Sequence, residues 1–212
     1  MSDESMRSRI LVWDAAVRVF HWLMVLSFAG AYLTAESERW RLVHVTLGYT
    51  MAGLITFRLA WGVIGTRHAR FRNFVRGPQA VMRYVRTLLA GDPTHFTGHN
   101  PAGAVAIVLM LLAGAVISVT GWASYNEVGG EWLSELHELA ANAMILVIGV
   151  HIAGVIVASR MHNENLVRSM VTGFKLGEHR ERVSWSWWPL ALLIVVSVLG
   201  FWWLQWQSAP VV

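Results

Sequence analysis

No cysteine occurs anywhere in the 212 residues. Disulfides, thiolate-bound iron–sulfur clusters and thioether-linked c-type haem are therefore excluded, and any redox centre must rest on other side chains. Charge is also scarce: 14% of residues are charged and 55% are hydrophobic, whereas about a quarter are charged in ordinary soluble domains. Proline is sparse enough to leave long apolar runs unbroken, and neither an internal repeat nor a low-complexity stretch interrupts them. The chain reads as one membrane domain, too short for a separate soluble domain once its spans are counted.

Five apolar stretches approach the roughly twenty residues that cross a bilayer: 17–34, 42–64, 102–124, 136–158 and 187–206. Trp40, Trp61, Trp122, Trp132, Trp187, Trp188, Trp202 and Trp203 fall near their ends, where indoles mark the membrane interface. Gly48, Gly53, Gly114, Gly149 and Gly154 lie inside the runs, as expected of helices packed closely on neighbours or on a flat cofactor.

The net charge of +4 reflects topology, with no call for nucleic acid, because the cations gather in particular connections. Arg67, Arg70, Arg72, Arg76, Arg83 and Arg86 follow span two, Arg160, Arg168, Lys175, Arg180 and Arg182 follow span four, and Arg7, Arg9 and Arg18 open the chain. The other side carries Arg39 and Arg41 against Glu36, Glu38, Glu127, Glu131 and Glu135. By the positive-inside rule the N-terminus and both basic connections are expected in the cytoplasm of a bacterial inner membrane. No small-residue cleavage site follows the first apolar run, which reads as a retained helix. Within the first basic connection, Val81, Tyr84, Val85 and Leu88 share a stripe that predicts an amphipathic helix at the interface.

His137 and His151 carry the chemistry. They stand fourteen residues apart in one span, so at about 100° per residue they share a face, separated by about 21 Å of rise. Ionisable groups inside a membrane are expensive and functional, and imidazole is an axial ligand for haem iron. His21 and His44 lie inside spans one and two, at the cytoplasmic and outer levels in turn. Depth pairs His44 with His137 around an outer haem and His21 with His151 around an inner one. His68, His95, His99, His162 and His179 sit among polar residues and are expected to be solvated loop histidines.

Arg58 follows His44 by fourteen residues and so reaches the inner level on the same helical face. It either binds a haem propionate or snorkels to the cytoplasmic interface. Arg18 is a candidate for the same inner haem and Arg41, one turn before His44, for the outer one. Glu138 is expected to favour its helix N-terminus, and Asn142 and Thr120 to satisfy neighbouring backbone.

Four stretches together carry a resemblance: VWDAAVRVFHW (12–22), LVHVTLGYTMAGLITFRLAWGVIGTRHARF (42–71), HNPAGA (99–104) and ELHELAANAMILVIGVHIAGVIVASRMHNENLVRSMVTGFK (135–175). The chain resembles the bacterial cytochrome b561 and nickel–iron hydrogenase b-type cytochrome family. That resemblance implies a four-helix transmembrane bundle holding two b haems on His21, His44, His137 and His151. The expected fold is thus an all-α membrane protein with a di-haem domain over 12–175, a cytoplasmic amphipathic helix, and a fifth transmembrane helix over 185–207 that anchors the chain or meets a partner.

The expected function is electron carriage across the membrane between quinone and a redox partner, either an external cytochrome c or a dehydrogenase or hydrogenase. A bound quinone needs an apolar slot with a few polar contacts, and Arg58, Arg67 or Glu138 are candidates to border it. A second expectation is a quinone-linked oxidoreductase acting on a small species such as superoxide at the outer haem; the acidic outer loops count against it.

Overall fold

In the computed structural model, which describes residues 7–91 and 94–208, each apolar run is a helix. The polar opening of the chain, residues 1–6, lies outside that range. Helix α1 (Ala15–Thr34) begins where the Asp14 carboxylate accepts the Val17 amide at 2.8 Å. Helix α2 spans Arg41–Ile64, and the short α3 (Phe71–Phe74) and α4 (Pro78–Leu89) follow it. Asn100 caps α5 (Pro101–Tyr125) through the Gly103 amide at 2.7 Å, with Pro101 in the first turn. Helix α6 (Trp132–Met161) is the longest; α7 (Leu166–Thr172) and α8 (Trp188–Gln207) complete the helices. By length and composition α1, α2, α5, α6 and α8 are long and apolar enough to cross a membrane, matching the five runs read from sequence.

Helix α1 packs on α2, α2 on α5, and α5 on α6, while α8 lies against α1 and touches α2. The Trp202 indole on α8 donates to Thr50 Oγ1 on α2 at 2.9 Å, so the fifth span is fastened to the bundle by a polar bond as well as by packing. Half way along the bundle Phe28, Met51, Ile117, Ala140 and Met144 form one buried cluster drawn from α1, α2, α5 and α6.

A two-stranded antiparallel sheet joins β1 (Arg7–Leu11) to β2 (Phe174–Glu178), with Arg9 opposite Leu176 and Leu11 opposite Phe174. Sequence reasoning did not find it, and the cause is an inverted pattern. In β2 the buried positions are Lys175 and Gly177, whereas Phe174 and Leu176 face outward, so hydrophobic alternation points the wrong way. Gly173 makes the turn into β2 with φ +88°, and its carbonyl accepts from the amides of Val12 and Trp13; an added Cβ would lie 2.7 Å from the Trp13 carbonyl oxygen. The sheet, α3, α4, α7 and the segment 94–100 cap one end of the bundle. In α4, the expected amphipathic helix, Tyr84 is buried and Val81 and Leu88 are half-buried, whereas Val85 is exposed.

Candidate functional site

The rings of His44 on α2 and His137 on α6 stand edge to face, with centroids 6.2 Å apart. Each is oriented by a backbone carbonyl. His44 Nδ1 lies 2.8 Å from the Ala31 oxygen, in the last turn of α1, where the Ala35 amide bonds Tyr32 instead and leaves the Ala31 carbonyl free of that helix bond. His137 Nδ1 lies 2.9 Å from the Ile117 oxygen of α5, with the Thr120 hydroxyl oxygen 3.3 Å away. A carbonyl only accepts, so both Nδ1 atoms carry the hydrogen and both Nε2 atoms keep their lone pairs. Metal-bound histidine is held in this same way by its other ring nitrogen. Two such rings, each with Nε2 free, would hold one metal ion between them. The pair fits a bis-imidazole iron site.

At the other level His21 and His151 are half-buried and within electrostatic reach of each other. His21 Nδ1 is buried without a hydrogen-bond partner among the described residues. The two levels are separated by the mid-bundle cluster, and its register is regular: Phe28, Met51 and Met144 each stand seven residues after His21, His44 and His137. About two turns of each helix therefore put one large apolar side chain between the levels.

Arg58 is 3% exposed, so it does not snorkel to water. Its guanidinium lies over the rings of Phe71 and Phe74, at 4.7 and 5.9 Å from their centroids, and Nη1 is buried with no partner among the described residues. A buried, unpartnered guanidinium nitrogen suits an anion such as a carboxylate. Gly62, one turn on, makes room for Phe71: a Cβ there would overlap the ring. The other two arginines are placed differently. Arg18 donates from Nη1 to the Val171 carbonyl at 2.6 Å and lies 5.1 Å from the Trp188 ring centroid. Arg41 is exposed, 3.8 Å from Glu38 and above the Tyr125 ring.

Of the interior glycines, Gly114 serves helix packing, since a Cβ there would lie 2.9 Å from Ile55. A Cβ on Gly48, Gly53, Gly149 or Gly154 would meet no protein atom within 4 Å, which fits faces turned to a flat group or to lipid. Glu138 is exposed. The Thr120 hydroxyl donates to the Val116 carbonyl at 2.7 Å, as expected, whereas Asn142 Oδ1 accepts from the Tyr32 hydroxyl rather than from backbone. Arg67 donates to the Arg180 carbonyl at 3.0 Å.

The loop histidines require correction. Only His179 is exposed; the others are drawn into the cap by aromatic and ionic neighbours. His99 stands 4.5 Å from Trp13 and 4.8 Å from Phe74, centroid to centroid. Burial, and then the charges of Arg58, Lys175, His151 and His68, hold its imidazole well below the ordinary value. His68 is 9% exposed with Nε2 2.8 Å from the Glu181 carbonyl oxygen; burial lowers it and that hydrogen bond opposes the shift. His95 and His162 pack edge to face around Glu164, which pairs with buried Lys175 at 3.3 Å. Burial raises the Glu164 carboxyl, but His95 and Lys175 outweigh it and leave the group below its usual range.

Asp14 was also missed. It is 1% exposed and holds the start of α1 to the end of α2, accepting from Trp61 Nε1 at 3.3 Å and Thr66 Oγ1 at 2.6 Å. The signal was an acid between a buried tryptophan and a helix start.

Residues 12–173, which hold all four span histidines, match the family described as prokaryotic cytochrome b561. The chain belongs to that family. Membership makes it an all-α membrane protein that carries b-type haem and transfers electrons. It is similar to the probable Ni/Fe-hydrogenase B-type cytochrome subunit of Rhodobacter capsulatus, 24% identical with 81% of this chain and 84% of that protein aligned. Its counterpart in Azotobacter vinelandii is 26% identical over 80% of this chain and 90% of that one. The hydrogenase 1 B-type subunit of Escherichia coli K12 is 27% identical over 55% and 60%. No solved structure matches the chain. Helix α8 lies beyond the family match.

Proposed function

We propose that this chain is a di-haem cytochrome b that carries electrons across a bacterial inner membrane, between quinone and a redox partner beyond the outer face. The observation that carries the reading is the His44–His137 pair, ring centres 6.2 Å apart, with both Nδ1 atoms taken by backbone carbonyls. His21 and His151 are the second pair. The capped end, with β1, β2, α3, α4 and the basic connections, faces the cytoplasm. Relatives named as hydrogenase subunits make a hydrogenase the leading partner, with an external cytochrome c the other.

When bound, haem b supplies a one-electron iron couple at each level. The protein does the rest. Carbonyls of Ala31 and Ile117 fix two ligand rings in the tautomer that presents Nε2. The Phe28, Met51 and Met144 cluster keeps the interval between levels dry. Arg58 offers its unpartnered Nη1 to a propionate at the inner level, and Arg41, one turn before His44, is the cation available to the outer one. A quinone would exchange electrons near the inner level, where the exposed Arg67 is an available polar contact.

Haem counting and reduced-minus-oxidised spectra on four alanine variants test this. Loss of one haem is expected in each, the outer in His44→Ala and His137→Ala, the inner in His21→Ala and His151→Ala. Two low-spin haems surviving in any variant, or no b-type bands in the parent, would overturn it.

A further inference from the structure

The geometry points to a binding site for an anionic phospholipid in the seam between α1 and α8, with the headgroup phosphate on Arg18 and an acyl chain along the groove above it. The seam is a groove of about 290 Å³ whose walls are apolar, including Leu26 and Val195, and whose capped end is closed by Arg18, Val171 and Trp188. His21 is not on its walls, so the groove is a different site from the His21–His151 pair.

Arg18 makes no ion pair among the described residues. Asp14, one turn earlier, is the nearest acid in the helix, but its oxygens are taken by the Val17 amide, Trp61 and Thr66. Of the five guanidinium donors, one bonds the Val171 carbonyl, while Nε is buried and unpartnered. Two indoles flank the cation: Trp188 beneath it and Trp22 on the groove wall, both partly exposed. A cation at one end of an outward-facing apolar groove, framed by interfacial aromatics, complements a phosphate carrying a hydrocarbon tail. A neutral quinone would leave that charge uncompensated. The surrounding end of the bundle is basic, through Arg160, Arg168, Arg180 and Arg182, and attracts anionic lipid to the seam. The occupant would also fill the contact between the family core and the added helix α8.

The test uses the haem-loaded chain, delipidated in mild detergent and returned to nanodiscs of phosphatidylglycerol or of phosphatidylcholine, with native mass spectrometry and thermal melting as readouts. Phosphatidylglycerol is expected to remain bound at one molecule per chain and to raise the melting temperature, and phosphatidylcholine to do neither. Arg18→Gln should weaken retention about tenfold, Arg18→Lys should keep part of it, and Leu26→Trp, which fills the groove but leaves the cation, should expel the lipid. The haem spectrum of Leu26→Trp should be unchanged. The inference is overturned by equal retention of the two lipids, by undiminished phosphatidylglycerol in Arg18→Gln or Leu26→Trp, or by a quinone or a second copy of the chain as the bound mass. If Arg18→Gln fails to fold, the lipid comparison and Leu26→Trp decide.

Discussion

Gly121 lies directly against His137: a Cβ on this glycine would come within 2.8 Å of the ring's Cε1. Gly121 is also four residues after Ile117, whose carbonyl bonds the same ring at 2.9 Å. One turn of α5 therefore both holds the imidazole and yields the room it occupies. Gly121→Ala forces ring or helix to shift, and a low-spin bis-histidine spectrum is sensitive to that. The expected result is a perturbed or lost outer haem with the inner haem intact, read by optical and electron paramagnetic resonance spectra.

Arg58 tests the inner level. Removing a buried cation favours the oxidised, more positive iron. Arg58→Leu should lower the inner midpoint potential by on the order of tens of millivolts, where about 59 mV is tenfold for one electron. The outer potential should hold, and redox titration separates the two. Equal shifts in both would contradict the placement of Arg58.

Asp14 joins α1 to α2 through a helix cap and two side-chain hydrogen bonds. Asp14→Ala loses the cap and strands two buried donors, at a cost of about 2–4 kcal/mol. Asp14→Asn, which keeps an acceptor oxygen, should lose less. Thermal melting ranks the pair.

Met51 is 1% exposed in the cluster between the levels. Met51→Ala leaves a cavity there and should destabilise by about 2–5 kcal/mol, whereas Met51→Leu should be close to neutral. Haem content at both levels should survive Met51→Leu, since neither residue is a ligand.

Acid should loosen the cap. His68 and His99 are held below the ordinary value by burial, so the unfolded chain binds more protons below about 6.5 and stability falls with falling pH. The contribution is complete above that value and is lost as pH drops toward the folded-state values. Glu164, also depressed, adds a second loss only as pH falls below the ordinary carboxylate range. Hydrogen exchange over residues 94–100 and 174–178 at pH 7.5 and 5.5 should show faster opening at the lower pH. Unchanged protection would contradict the burial of these imidazoles.

The five spans were legible because a bilayer imposes one length on every helix and because hydropathy is a local property. That His137 and His151 share a face of α6 was legible because helix geometry converts residue number into rise and facing, whatever surrounds them. The sequence by itself determined which side chains stand at which height. Tertiary structure alone decided their partners. Arg18 and Arg58 are both candidates for the inner haem by sequence, yet one meets Val171, 153 residues away, while the other is sealed beneath Phe71 and Phe74. Strand β2 was hidden because Lys175 faces inward, which the Glu164 carboxylate, in the connection between α6 and α7, and a carbonyl at Phe96 make tolerable. Local periodicity cannot register such contacts, because the groups that satisfy a buried charge come from elements far apart along the chain.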